Sequence, residues 1–208
     1  MEKDAYKTIS KPGNEALYKE KGSKFFAYSF PVQSETEVEA ALDELKTKHH
    51  KASHFCYAWQ IGQNYEHFRV NDDGEPGNSA GMPIYGQLQA YDVTNILVVV
   101  VRYFGGTKLG VGGLISAYKI SAQMALDESK ILSKTINLEF EVHCEYDKMN
   151  LVMRMVKEYD LNLVHQDLAL DCNFKISVRQ KDFQSIFEKF KAIYGLEVSS
   201  EFAQDEEE

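Results

Sequence analysis

The chain has 208 residues, 44% apolar and 26% charged, with a net charge of −9, which is the composition of a soluble globular protein of one large or two small domains. Its acidity argues against a protein that coats nucleic acid along its whole length, and its longest β-branched apolar run, six residues, is too short to cross a bilayer. The opening MEKDAYKTIS is too charged for a signal peptide, and the three widely spaced cysteines, Cys56, Cys144 and Cys172, favour free thiols in a reducing cytoplasm.

In chain order, residues 5–9 predict a strand, and the turn residues at 11–14 separate it from a second at 16–19. Gly22-Ser23 turns the chain into a third strand over 24–32. Ser34 opens a helix. Ser34-x-x-Glu37 is a capping box, in which each side chain reaches a free backbone N–H of the other's residue. Val38, Ala41, Leu42 and Leu45 then form one apolar stripe. Residues 53–61 and 65–70 predict a hairpin about Gly62-Gln63-Asn64, with Phe68 and Val70 sharing a face. His49, His50 and His54 have no carboxylate or cysteine spaced to complete a metal site, so neither metal nor cofactor is expected.

The chain is organised around residues 72–114. The acidic stretch DDGEPGNSAGMP offers Asp72, Asp73 and Glu75 either as oxygen ligands for a hard cation or as turn residues bonding nearby backbone N–H groups. The second is favoured, because the oxygens lack the regular spacing of a calcium loop. Asn78-Ser79 is positioned to cap a short helix bearing Ile84, Leu88 and Tyr91. ILVVVV, 96–101, predicts a strand buried on both faces. After Arg102, Tyr103 and Phe104 come five glycines in nine residues: Gly105, Gly106, Gly110, Gly112 and Gly113. A helix follows to residue 126. The glycines serve tight turning and close packing, or free N–H groups that hold an anion; spacing leaves both open. No Gly-Lys-Ser/Thr closes a phosphate loop, and Ile115 stands where a dinucleotide fingerprint needs its third glycine.

Residues 131–135 read as a linker to a second domain. There a strand at 136–146, a helix from Asp147, two strands within 161–180, a helix over 183–190 and a strand at 196–202 give β-α-β-β-α-β, the ferredoxin-like order. The expected domains are 1–134 and 135–208. The first holds 15 Lys/Arg against 16 Asp/Glu and the second 8 against 16, so the acid is concentrated in the second. The terminal run Asp205 to Glu208 is expected to be a disordered, solvated tail. A polyanion would therefore meet the first domain.

DDGEPGNSAGMP, VVVVRYFGGTKLGVGGLISAY, His54 within KASHFCYAW, and KGSKFFAY together resemble the signature of the IMPACT/YigZ family. The resemblance implies a two-domain α+β protein of the cytoplasm. Its first domain would be like the second domain of a small-subunit ribosomal protein, and its C-terminal domain like a domain of elongation factor G. It also implies a role in binding nucleic acid or in translation. On that reading the expected function is an RNA-binding accessory of translation, touching RNA or ribosome-associated nucleic acid and not a membrane, with a protein partner in translation also open. Arg102, Lys108 and Lys119 would contact phosphates, and Tyr103 and Phe104 are candidate stacking surfaces, with buried packing the favoured use of at least one of them. Two alternatives stand beside it. One is an enzyme acting on a phosphorylated small molecule, with Mg²⁺ held by Asp72, Asp73 or Glu75 and His54 as acid or base. The other is a protein-interaction module docking through the second domain. No catalytic residue is assigned.

Overall fold

The computed structural model describes residues 4–203, so the acidic run at 205–208 lies outside the described residues. The chain divides into two compact units, one of residues 5–134 and one of residues 135–203 with Asp4.

The first unit is built on a five-stranded sheet. β2 (Ala16–Glu20) and β3 (Ser23–Pro31) form one hairpin, β4 (His54–Ile61) and β5 (His67–Asn71) another, and β6 (Ile96–Tyr103) lies between them in the order β2-β3-β6-β4-β5. Every pairing is antiparallel. The first strand, β1 (Ala5–Ile9), pairs with β7 (Ile131–Thr135) in a separate two-stranded sheet. The expected linker is thus a strand. Its apolar start, Ile131-Leu132, and its backbone N–H groups find their partner in β1, at the other end of the unit, which local composition does not reveal.

β6 is where it is because of its side chains. Ile96 to Val101 are all fully buried, each contributing about 1.5–3 kcal/mol by burial. Ile96, Val98 and Val100 face one core with α2 (Gly81–Tyr91) and α3 (Gly110–Asp127); Leu97, Val99 and Val101 face another with α1 (Glu35–Lys48). Helices therefore cover both faces of an antiparallel sheet. A strand with no polar side needs cover on both sides, whichever way its neighbours run.

Ser34 caps α1 as expected, its Oγ accepting from Glu37 N–H at 3.3 Å. The reciprocal bond shifts by one residue: Glu37 accepts from Gln33 N–H at 2.7 Å.

The second unit runs β8 (Asn137–Cys144), α4 (Tyr146–Glu158), β9 (Asn162–Leu168), β10 (Cys172–Arg179), α5 (Phe183–Lys191) and β11 (Leu196–Ser199), in sheet order β11-β8-β10-β9. This is the ferredoxin-like arrangement. Phe140, Phe174, Phe183, Phe187 and Phe190 fill its core, so the phenylalanine stripe is packing.

Candidate functional site

Successive residues of a strand point to opposite faces, and at the end of β6 this separates Arg102 from Tyr103. Arg102 lies opposite His54 of β4 and Phe25 of β3, on the α2/α3 side. Its guanidinium is 5% exposed, and Nη1 donates to Glu75 Oε1 at 2.5 Å. Nη2 donates to Ser23 Oγ at 3.4 Å, which also accepts from Gly105 N–H at 3.2 Å. The guanidinium lies over the rings of Phe25 at 5.4 Å and Phe104 at 5.5 Å. Arg102 is an interior cation matched by an interior carboxylate. The expectation that it contacts phosphate is corrected, because its partner is a carboxylate 27 positions upstream.

Glu75 reaches this place through the loop that joins β5 to α2, and the loop's own carboxylates hold its shape. Asp72 Oδ1 accepts from Ala80 N–H at 2.9 Å and Gly81 N–H at 2.8 Å, while Oδ2 accepts from Asn78 N–H at 2.8 Å. The cap of α2 is therefore Asp72, not the expected Asn78-Ser79. A charged acceptor at a helix start is the stronger device, because it also meets the positive end of the dipole. Asp73 Oδ2 accepts from Phe55 N–H at 2.6 Å. With Asp72 and Asp73 bound to backbone and Glu75 bound to Arg102 and Tyr118, the three carboxylates do not converge on one point. Among the described residues no cluster of His, Cys, Asp or Glu is arranged to hold a metal ion.

Glu75 Oε1 also accepts from Tyr118 Oη at 2.8 Å and lies 3.9 Å from His54 Nε2. His54 Nδ1 is 2.7 Å from the Asp73 carbonyl; a carbonyl only accepts, so Nδ1 carries the hydrogen and Nε2 is left facing Glu75. Cys56 Sγ sits 3.0 Å from the Asp72 carbonyl and 3.3 Å from Tyr118 Oη. Burial raises both the Cys56 thiol and the Tyr118 phenol well above their ordinary pKa values, so both remain neutral and the Glu75–Arg102 pair carries the charge. Ser23, Cys56 and Tyr118 were not singled out by sequence reasoning. The usable signal was Tyr118 on the buried stripe of α3 with a hydroxyl that burial obliges to find an acceptor.

On the other face, Tyr103 Oη lies 2.9 Å from His49 Nδ1, and the ring packs on Phe26. His49 Nε2 lies 2.6 Å from Tyr28 Oη, which donates to Glu15 at 2.6 Å; Lys48 closes the row at 2.9 Å. Tyr103 belongs to this packed network and not to a stacking surface, so it is the one of the two aromatic candidates that is used in packing. Phe104, in contrast, is 49% exposed.

The glycine loop follows. A Cβ on Gly105 would stand 1.9 Å from the Gly22 carbonyl carbon, so Gly105 permits the loop to lie flush against the β2–β3 turn. Gly106 and Gly110 take positive φ, 85° and 73°. Gly106, Gly110 and Gly112 have open space where a side chain would stand, whereas Gly113 meets Leu109 Cβ at 3.1 Å. α3 then starts with no side-chain cap and no acidic residue in its first turn. Lys108 and Lys119 are exposed, as are Lys19, Lys21 and Lys24 on and beside the turn against which Gly105 rests. Between Asp92 and Asp127 the sequence holds no acidic residue. The loop and α3 therefore present a basic, open surface, and the interior Arg102–Glu75 pair adds no net charge to it.

The Impact N-terminal domain family matches residues 21–126, the span that holds all of these residues except Glu15, Lys19 and Asp127. An IMPACT family member of Haemophilus influenzae is 30% identical over 170 residues, covering 79% of this chain and 81% of that protein. The IMPACT family member YigZ of Escherichia coli is 32% identical over 149 residues, covering 71% and 73%. In fold, the chain is similar to the crystal structure of a hypothetical protein, with a TM-score of 0.73 at 24% identity over 98% of this chain and all of that one. By the domain match and by these two relatives, the chain belongs to the IMPACT family.

Proposed function

We propose that the protein binds RNA through the glycine-loop surface of its first unit, as a cytoplasmic accessory of translation. The observation that supports this is the acid-free stretch between Asp92 and Asp127, which folds so that Lys108 and Lys119 are exposed and its glycine loop rests on the lysine-bearing β2–β3 turn. Cations in excess over carboxylates attract a polyanion, Lys19, Lys21 and Lys24 at the turn outnumbering Glu20, and backbone N–H groups at the start of α3 add donors for phosphate. The second unit, which carries most of the net negative charge, takes no part in the contact. No described helix is long and apolar enough to cross a membrane.

The test is a salt titration of full-length protein with a labelled mixed-sequence RNA. Each phosphate contact contributes a slope of roughly 0.7–0.9 log units of affinity per log unit of salt, so Lys21, Lys108 and Lys119 give about −2 to −3. Lys108→Ala should reduce the slope by about one unit and leave the melting temperature unchanged. Absence of salt-dependent binding at low salt overturns the proposal.

A further inference from the structure

Resting on that reading, we propose that the surface selects single-stranded over duplex RNA, and that the exposed face of Phe104 is the seat of one unpaired base. Phe104 is the first residue after β6, and half its surface is open. The Arg102 guanidinium lies over the ring at 5.5 Å and also over the ring of Phe25 at 5.4 Å, and Phe25 meets Tyr118 edge-on at 5.3 Å. The guanidinium is itself held by Glu75 and Ser23. A large apolar side chain on an open loop ordinarily has many orientations and loses that freedom on binding. Here the contact with the buried Arg102 guanidinium limits the ring's orientations before a ligand arrives, so a base stacks on its open part at small entropic cost.

Chemistry selects the ligand class. The ring stands in the acid-free stretch, four residues before Lys108, so its occupant carries negative charge as well as an apolar face. A nucleotide supplies both, whereas inorganic phosphate has no face to stack. In a duplex each base face is already covered by its neighbours. A ring half-sunk against its own protein offers a platform, not a wedge that could part them. Val111 and Ile115, also exposed at the start of α3, extend the apolar area available to splayed bases.

Full-length protein should be titrated with a labelled single-stranded RNA dodecamer, with its blunt duplex, and with the single strand carrying 2-aminopurine. The single strand should bind at least tenfold more tightly than the duplex, with quenching of 2-aminopurine on binding. Phe104→Leu should weaken single-strand binding roughly 5- to 150-fold, the range of one base stack, abolish the quench and leave the salt slope unchanged; Phe104→Trp should restore both. If the leucine also disturbs the packing on Arg102, a lowered melting temperature will reveal it, and the wild-type quench and the tryptophan variant then decide. Equal affinity for single strand and duplex, or unaltered affinity in Phe104→Leu, overturns this inference while the RNA reading stands, and assigns the ring to packing or to a protein contact. Absence of salt-dependent binding to either RNA overturns both.

Discussion

Arg102 and Tyr103 are neighbours on β6, yet the networks they enter are opposite in kind. Arg102 meets Glu75 with both side chains 5% exposed, so a full ion pair is held in the interior. Tyr103 opens a row whose interior members are neutral and whose charges, Glu15 and Lys48, stand at the rim with side chains 40% and 51% exposed. One hydrogen pattern satisfies that row. Glu15 accepts from Tyr28, so Tyr28 oxygen accepts from His49 Nε2–H, and His49 Nδ1 accepts from Tyr103. The difference teaches where each face stores its risk. The Arg102 face is fixed by mutual dependence of two charges, and the Tyr103 face by a histidine that must stay neutral.

The largest expected effect comes from breaking the interior pair. Glu75→Ala leaves Arg102 buried without its counter-charge, and denaturant unfolding should show a loss of about 3–5 kcal/mol. The double variant Glu75→Leu with Arg102→Met removes both charges and should lose less than Glu75→Ala alone. A single-variant loss below about 1 kcal/mol would show that the pair is not the fixed point of that face.

Next in size is the loop that carries Glu75 inward. Asp72→Ala removes the acceptor of three N–H groups at the start of α2 and should cost about 1–2 kcal/mol. Amide exchange should speed up at Asn78, Ala80 and Gly81, with no change in the Tyr103 row. Acceleration spread evenly over the unit would mean that the two faces are not separate.

The smallest effect is a pH dependence confined to the Tyr103 face. Burial, followed by the nearby Lys48 charge, lowers the His49 pKa from its ordinary 6.5. The unfolded chain therefore binds a proton more readily than the folded one, and stability is lost as pH falls through about 6.5 toward the folded value. Glu15 adds a lower window. The Tyr28 hydroxyl, then Lys48, lowers its carboxyl below 4.5, so its contribution is present above 4.5 and is lost as pH falls from there through the folded value. Melting curves from pH 7.5 to 5 should fall more steeply for wild type than for His49→Gln, and parallel curves would remove His49 from the account.

The backbone plan was readable because it rests on periodicity. Six consecutive β-branched or leucine residues demand cover on two sides, and the alternation of 136–146 and 172–179 against two amphipathic helices specifies the second unit. What could not be read were partners distant in sequence. Arg102 looks like a loop-edge cation until Glu75 is brought beneath it, and Asn78-Ser79 satisfies the local rule for a cap that Asp72 supplies from eight residues away. The same holds for residues 131–135, whose pairing partner is at the other end of the unit. Of the candidate contact residues, Lys108, Lys119 and Phe104 are exposed, whereas Arg102 and Tyr103 went inside because strand alternation carries each into a different core.

The central place of β6 also sets an order on synthesis. Its neighbours β3 and β4 do not pair with each other, and the strand that joins them is made only after both hairpins have emerged. Until residue 103 has left the ribosome, each hairpin carries an open edge and an uncovered apolar face, the condition in which nascent chains associate wrongly. A transcript cut short before residue 96 would yield two hairpins with nothing to join them. The sheet of the first unit therefore closes late and in one step, with most of its contacts made between residues remote in sequence, which places it among slow-folding topologies.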